Sequence, residues 1–275
     1  MAPASPSVIA GTELRPGMTV DGTLWVISDL HILASTDSVA TQLVEFLTTH
    51  PRVSDHIVFA GDLFDRFTGE RLFLWERFEP VLDAIRQLPG RGVQVTLLEG
   101  NHDLHLQPWV EAHPGVQWAD PGILLNCGGK RIWIEHGDLI NQSDIGYLLL
   151  RTTFRTRLVR GLARLVPESW VDGFAKNASS LSRAQNPWLP ENLPQQKLQA
   201  LRTLYRDAAN QKLLNGIDCV ILGHCHDLDE VRFQVGSRAV QYINMGFPPV
   251  HGSILRLQKG ASSVERFPLF RASPA

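Results

Sequence analysis

The sequence predicts an α/β layered fold, and three observations carry that prediction. Short apolar runs of strand character alternate with amphipathic helical segments through the first half of the chain. The runs are apolar on both faces, as in a sheet covered on both sides. Run after run then ends in aspartate, asparagine or histidine, at the carboxyl end where open α/β sheets gather their ligands.

Residues 1–22 read as an irregular lead-in. Residues 23–28 (Thr-Leu-Trp-Val-Ile-Ser) form the first expected strand, which ends in Asp29-Leu30-His31. Side chains at i and i+2 of an extended segment point the same way, so a carboxylate oxygen and an imidazole nitrogen can converge on one ion. The spacing of Val39, Leu43, Val44, Phe46 and Leu47 predicts a helix over 38–50, with Asp37 or Ser38 as its N-cap. A second strand, 56–60, ends at Gly61-Asp62, with Asp65 three residues on. A second helix is expected over 71–88, broken by Pro89-Gly90. The third strand, 93–98, runs into Glu99-Gly100-Asn101-His102-Asp103, and a strand over 131–135 runs into His136-Gly137-Asp138.

From 143 to 214 the apolar spacing is helical throughout, divided by Pro167, Pro187, Pro190 and Pro194. This stretch is expected to be a helical cap inserted into one domain spanning 1–275. Strand character resumes at 218–222, which ends in Gly223-His224-Cys225-His226, and 231–235, 240–244 and 253–257 predict a closing β-meander.

Composition sets the class. At 275 residues, 44% hydrophobic and 20% charged, the chain can bury a sizeable core. A net charge of −2 gives no whole-molecule attraction to nucleic acid or anionic membrane. Cys127, Cys219 and Cys225 form no Cys-x-x-Cys pair, which suits a reducing compartment. There is no apolar signal segment near the start and no run of about 18 apolar residues, so a cytoplasmic protein is expected.

The strand ends together offer Asp29, His31, Asp62, Asn101, His102, His136, His224 and His226. Any one unit alone reads equally well as a polar turn. Five in one chain, each behind an apolar strand, read as a metal constellation with Asp62 as the bridge between two ions. Carboxylate, amide and imidazole donors without a thiolate suit Mn²⁺, Fe²⁺ or Zn²⁺. Cys225 lies between two of the histidines, and strand alternation is expected to turn it into packing. Two ions about 3.5–4 Å apart can bridge a hydroxide and clamp an in-line attack on phosphorus. His102 is then expected to protonate the leaving oxygen or stabilise charge, with Asp103 orienting its ring or capping the next helix. Asp65 is expected to support its loop.

In their order, Asp29-Leu30-His31, Gly61-Asp62-Leu63-Phe64-Asp65, Gly100-Asn101-His102-Asp103, His136-Gly137-Asp138 and Gly223-His224-Cys225-His226 resemble the calcineurin-like metallophosphoesterases. The resemblance implies a four-layer β-sandwich flanked by helices, with both metals at the sheet edge. It implies one ion on Asp29, His31, Asp62 and His226, and another on Asp62, Asn101, His136 and His224. Mn²⁺ is the first expectation, with Fe²⁺ or Zn²⁺ as alternatives.

The insertion opens on Asp144-Ile145-Gly146-Tyr147, and Arg151, Arg155, Arg157, Arg160 and Arg164 follow among leucines. Such a segment reads either as lipid-facing or as a packed helix with a solvated basic face. Its opening and the later Lys176-Asn177-Ala178-Ser179-Ser180 resemble the UDP-2,3-diacylglucosamine pyrophosphatases of lipid A biosynthesis. That resemblance implies Mn²⁺-dependent cleavage of a lipid-linked sugar nucleotide to UMP and 2,3-diacylglucosamine 1-phosphate. The place would be the inner face of the bacterial membrane, reached by peripheral contact through the cap. The implied substrate contacts are Asp144, Tyr147, Asn177, Ser179, Ser180 and Arg183. One departure stands out: the best-known members carry arginine where this chain has His102, the residue of the broader superfamily. A soluble phosphodiesterase or phosphatase is therefore the alternative within the same chemistry. A non-catalytic metal-binding scaffold is the alternative of another class, and it predicts a missing ligand where all seven expected positions are filled. No nucleic-acid partner is expected, because Trp170, Phe174 and Trp188 at helical spacing read as core.

Overall fold

The computed structural model describes residues 17–65, 67–143, 145, 146, 149, 153 and 190–271, with Glu191 described in its backbone only. Two six-stranded sheets stack face to face within them. The first sheet has the order β1 (Met18–Val20), β8 (Gly122–Cys127), β9 (Lys130–Glu135), β10 (Cys219–Leu222), β12 (Arg238–Met245), β11 (Leu228–Val235). The second has the order β14 (Glu265–Pro268), β13 (Ser253–Leu257), β2 (Leu24–Ile27), β3 (His56–Ala60), β5 (Gln94–Leu98), β7 (Val116–Ala119). A two-stranded pair, β4 (Phe67–Thr68) with β6 (Asp103–Leu104), lies outside both.

Side-chain alternation builds the layers. Along β2, Leu24 and Val26 enter the core between the sheets, while Trp25 and Ile27 enter a second core on the outer face. β3 does the same with Val58 and Ala60 inward, Ile57 and Phe59 outward. In the other sheet Cys219 and Ile221 face inward, and Val220 and Leu222 face a third cluster. Because both faces are covered, these strands need apolar residues at every position, which is why they read as continuous apolar runs.

The outer core of the second sheet is closed by α1 (Ser38–Thr49), α2 (Leu72–Arg77), α3 (Glu79–Gln87) and α4 (Gln107–Ala112). Tyr205, Ala209 and Leu213 of α5 (Gln195–Leu214) close the outer face of the first sheet. The result is the expected four-layer α/β arrangement. A short α6 (Pro248–His251) links β12 to β13.

Several expectations are corrected. The lead-in is not wholly irregular, since β1 pairs in parallel with β8. The helix expected over 71–88 is two helices, parted at Phe78, whose φ of −108° and ψ of 14° leave the helical region. Pro80 in the first turn of α3 has no N–H to continue the earlier helix. The closing meander divides: β11 and β12 form a hairpin in the first sheet, whereas β13 joins β2 and β14 in the second. Asp37 does stand at the N-cap of α1, but its carboxylate accepts from Leu33 N–H and Ala34 N–H and so ties down the turn after His31. Of the cap expected over 143–214, α5 is described as helix, and the greater part lies outside the described residues. No helix among the described residues is long and apolar enough to cross a membrane.

Candidate metal centre

β2, β3 and β5 run parallel in one sheet, and β9, β10 and β12 run parallel in the other. Their carboxyl ends deliver Asp29 and His31, Asp62, Asn101 and His102, His136, and His224 and His226 to one edge of the sandwich. Three groups of donor atoms form there among the described residues, each within 4.8 Å: Asp29 with His31 and His226, Asp62 with His136 and His224, and, sharing His31 with the first, His31 with Asp65 and His102. The Asn101 amide oxygen lies 2.7 Å from His224 Nδ1 and 3.2 Å from His136 Nε2, inside the second group. His31 Nε2 and His136 Nε2 approach the same oxygen of Asp62, at 3.6 and 3.4 Å, so Asp62 stands between the first two groups.

The backbone reaches this arrangement by an unexpected route. Asp29, His31, Asp62, His224 and His226 all have left-handed φ, between 46° and 68°. Such a conformation costs about 1 kcal/mol or more for each non-glycine residue. Only Ser54 and His105 share it among the described non-glycine residues. Asp29 and His31 therefore converge through a strained turn, not through the alternation of an extended strand. Strain gathered on five donor positions is what a preorganised site requires.

Two glycines permit the close approach. A Cβ at Gly100 would strike the Asp62 carboxylate, and one at Gly223 would strike the Asp29 carboxylate and lie 2.5 Å from Ser28 Oγ. Each glycine directly precedes a donor, Asn101 or His224. Ser28 in turn donates to Asp29, and His224 N–H donates to the same carboxylate at 3.0 Å.

The protonation pattern shows a site built for positive charge. His136 Nδ1 faces the Ala60 carbonyl at 3.0 Å, which can only accept, so Nδ1 carries a proton and Nε2 is the nitrogen turned toward Asp62 and Asn101. Burial opposes a charge on this ring, but the carboxylates of Asp62, Asp29 and Asp138 outweigh it and push its pKa up to about 10. Asp62 is held well below the usual carboxylate range against the effect of burial, by His136 and His31. Burial pushes His31 and His224 down to about 4, which keeps them neutral and free to coordinate. His31 Nε2 and His226 Nε2 face each other at 3.0 Å, a separation that needs a proton or a cation between them. Buried carboxylates, neutral imidazoles and an amide oxygen fit a pair of divalent ions of the Mn²⁺, Fe²⁺ or Zn²⁺ type.

The partner of His102 differs from expectation. Its Nδ1 lies 2.7 Å from Asp65 Oδ1, so Asp65 orients the ring. Asp103 instead accepts from the N–H groups of Asp62, Leu63 and Gly100 at 2.7–2.9 Å and staples the β3 and β5 turns together. Burial and the nearby Asp62 carboxylate push Asp103 up to about 7, against the Gly100 and Asp62 N–H groups that favour its charged form. Cys225 does turn from the donors, and Asn244 Nδ2 donates to its sulfur at 3.0 Å. Its residue stands in a turn beyond β10, so strand alternation is not the cause.

One neighbour escaped the sequence reading. Phe247 stacks on His226 with centroids 4.8 Å apart and lies 5.9 Å from the His31 ring. It follows β12, whose carboxyl end reaches the same edge, so a search of strand ends for aromatics as well as donors would have found it. Asp144, Tyr147, Asn177, Ser179, Ser180 and Arg183 lie outside the described residues.

Comparison with known proteins agrees with this geometry. The UDP-2,3-diacylglucosamine hydrolase of Ralstonia nicotianae is 26% identical over 266 residues, spanning 92% of this chain and 96% of its own. The Stenotrophomonas maltophilia protein of the same name is 26% identical over 239 residues, spanning 87% and 96%. That of Xanthomonas oryzae pv. oryzae is 25% identical over 244 residues, spanning 88% and 98%. The calcineurin-like phosphoesterase profile matches residues 22–228, a span that holds all five donor-bearing strand ends. The chain thus belongs to the calcineurin-like phosphoesterase family, hydrolases of phosphoester bonds whose site holds two divalent metal ions.

Proposed function

We propose that the chain hydrolyses the pyrophosphate bond of UDP-2,3-diacylglucosamine, giving UMP and 2,3-diacylglucosamine 1-phosphate. The observation that carries the chemistry is the double donor group sharing Asp62. The substrate rests on relatives that bear that activity in their names and align along most of the chain.

In this reading Asp29, His31, Asp62 and His226 hold one ion, and Asp62, Asn101, His136 and His224 hold the other, with Mn²⁺ as the metal. Two such ions lower the pKa of water and absorb negative charge that develops on phosphoryl oxygens. Asp62, one buried carboxylate standing between the two donor groups, would be shared by both ions, with its other oxygen held by the His102 N–H at 2.8 Å. The Ala60 carbonyl keeps His136 in the tautomer that coordinates through Nε2. His102, oriented by Asp65 through Nδ1, presents Nε2 and donates a proton to the departing oxygen.

The diacyl chains need an apolar pocket, and the insertion, which follows His136 closely in the chain and interleaves leucines with arginines in its sequence, is suited to supply it and to meet phosphate oxygens or anionic head groups. Ile145 and Leu149, one helical turn apart at its start, are 74% and 67% exposed, which supports peripheral contact with the inner face of the membrane. The contacts assigned to Asp144, Tyr147, Asn177, Ser179, Ser180 and Arg183 belong to this proposal. The whole is read as one domain with a cap over 143–214.

His102 favours one second reading, a phosphodiesterase or phosphatase with another substrate, because the relatives best known for the lipid substrate carry arginine there. The test is Mn²⁺-loaded protein with UDP-2,3-diacylglucosamine, followed by phosphorus NMR with Asp62→Ala as control. UMP and lipid monophosphate formed by the wild type alone are expected. Turnover of a generic phosphodiester without turnover of the lipid would discard the lipid assignment and keep the metals.

A further inference from the structure

α5, the helix through which the insertion rejoins the sandwich, touches both donor-bearing turns of the first sheet. Arg202 and Arg206, one turn apart on one face of the helix, each grip a carboxylate through two parallel hydrogen bonds. Arg202 meets Asp227 at 2.7 and 2.8 Å, and Arg206 meets Asp229 at 2.8 and 2.6 Å. Both aspartates are buried, and Asp227 directly follows His226. On the same helix the Tyr205 hydroxyl donates to the carbonyl of Gly137 at 3.1 Å, and Lys212 Nζ donates to Glu135 at 3.0 Å. Glu135 and Gly137 flank His136 on either side. One rigid helix thereby fixes the chain beside a histidine of each assigned metal site.

We propose that α5 is a brace that sets the position of the two metal sites independently, with Arg202 and Arg206 positioning His226, and Tyr205 positioning His136. This rests on the ligand assignment made above. The physical reason is that His226 sits in a left-handed turn with φ 55°, a conformation the chain leaves unless its neighbours hold it. Hydrogen-bonded partners behind metal ligands are commonly worth 10–100-fold in metal affinity. Two doubly bonded forks on the residues after His226 are such partners, applied through the backbone instead of the ring.

The experiment is calorimetric titration of the metal-free full chain with Mn²⁺. His136→Ala supplies a background with one remaining site, built on Asp29, His31 and His226. In that background the Arg202→Met/Asp227→Asn pair, which removes both charges and strands neither, should raise the Mn²⁺ dissociation constant about tenfold. Tyr205→Phe should leave it unchanged there, yet weaken one of the two sites in the otherwise wild-type chain. Arg202→Lys, which keeps the charge and loses the fork, should give a smaller loss of about threefold, and it serves if the double variant does not fold. Affinities within twofold of the background for both Arg202 variants, or an equal loss from Tyr205→Phe, would overturn the brace. If His136→Ala itself still bound two ions, the ligand assignment would be the part that fails.

Discussion

Asp65 Oδ1 lies 2.7 Å from His102 Nδ1, and this contact decides what the ring can do. Burial would lower the imidazole pKa, but the carboxylates of Asp65, Asp62 and Asp103 prevail and raise it, so a larger share of the ring carries a proton near neutral pH. A protonated ring whose Nδ1 is engaged donates through Nε2. His102→Ala should therefore lower kcat on a phosphodiester with an alkyl alcohol leaving group by roughly 10²–10⁴. On a 4-nitrophenyl ester, which leaves without help, the loss should be under about tenfold. Asp65→Asn should follow the same pattern at smaller amplitude. Full kcat of His102→Ala on the alkyl substrate would remove the proton-donor role. The sequence puts His102 among the strand-end donors and offers Asp103 either as its partner or as a helix cap, because adjacency in the chain is all that a motif displays. Asp103 faces away, toward three backbone N–H groups, and only the fold of the β5 turn reveals this.

Strands buried on both faces were the legible elements: β3 was read to the residue, and β2, β5, β9 and β10 to within one or two. The illegible ones lack that signal. β7 (Val116–Ala119) is exposed at two of its four residues, and β4 and β6 are two residues each. The crossing of β13 between sheets is set by which edge is free, and no local pattern encodes it. β3 also holds a polar residue at odds with its run. His56 is fully buried, its Nε2 lies 2.8 Å from Thr96 Oγ1, and its Nδ1 has no partner among the described residues. Burial pushes its pKa down to about 4, from an unfolded value of 6.5. The unfolded chain therefore binds a proton between pH 6.5 and 4 that the folded strand refuses. The stability that His56 contributes is complete above 6.5 and is lost as the pH falls through that window. Denaturant unfolding of the wild type and His56→Gln at pH 7 and pH 5 isolates this, since changes at the metal centre cancel in the difference. The wild type should lose about 2 kcal/mol more than the variant between the two. An equal loss in both would show that His56 is not held neutral.

At the scale of the whole molecule, the metal centre is where the two sheets meet chemically. The second sheet contributes Asp29, His31, Asp62 and Asn101, and the first contributes His136, His224 and His226. The Asp29–His31–His226 and Asp62–His136–His224 groups each draw from both sheets, so an ion in either one links strand ends that the apolar core between the sheets joins only through packing. Asp29 and Asp62 are both buried, and burial together with the Asp62 charge pushes the Asp29 pKa up, but the facing His226 and His136 outweigh both and hold Asp29 below its ordinary value. Ions that bind the folded chain and not the unfolded one stabilise it by mass action, about 2.7 kcal/mol for each site at a hundredfold its dissociation constant. Two sites would then contribute roughly 5 kcal/mol, and for a chain of this size each kcal/mol moves Tm by about 2–4 °C. Removing metal with a chelator should accordingly lower Tm by about 10 °C or more, and added Mn²⁺ should restore it. Asp62→Ala, which takes the shared carboxylate from both assigned sites and leaves Asp29, His31 and His226 in place, should show a much smaller Mn²⁺-dependent rise in Tm than the wild type. Calorimetric scans of the two proteins, each chelated and then reloaded, make the comparison. A wild type whose Tm ignores Mn²⁺ would mean that the sandwich holds these donors in place by packing alone, and that the strain at the five left-handed residues is borne by the core and not by the ions.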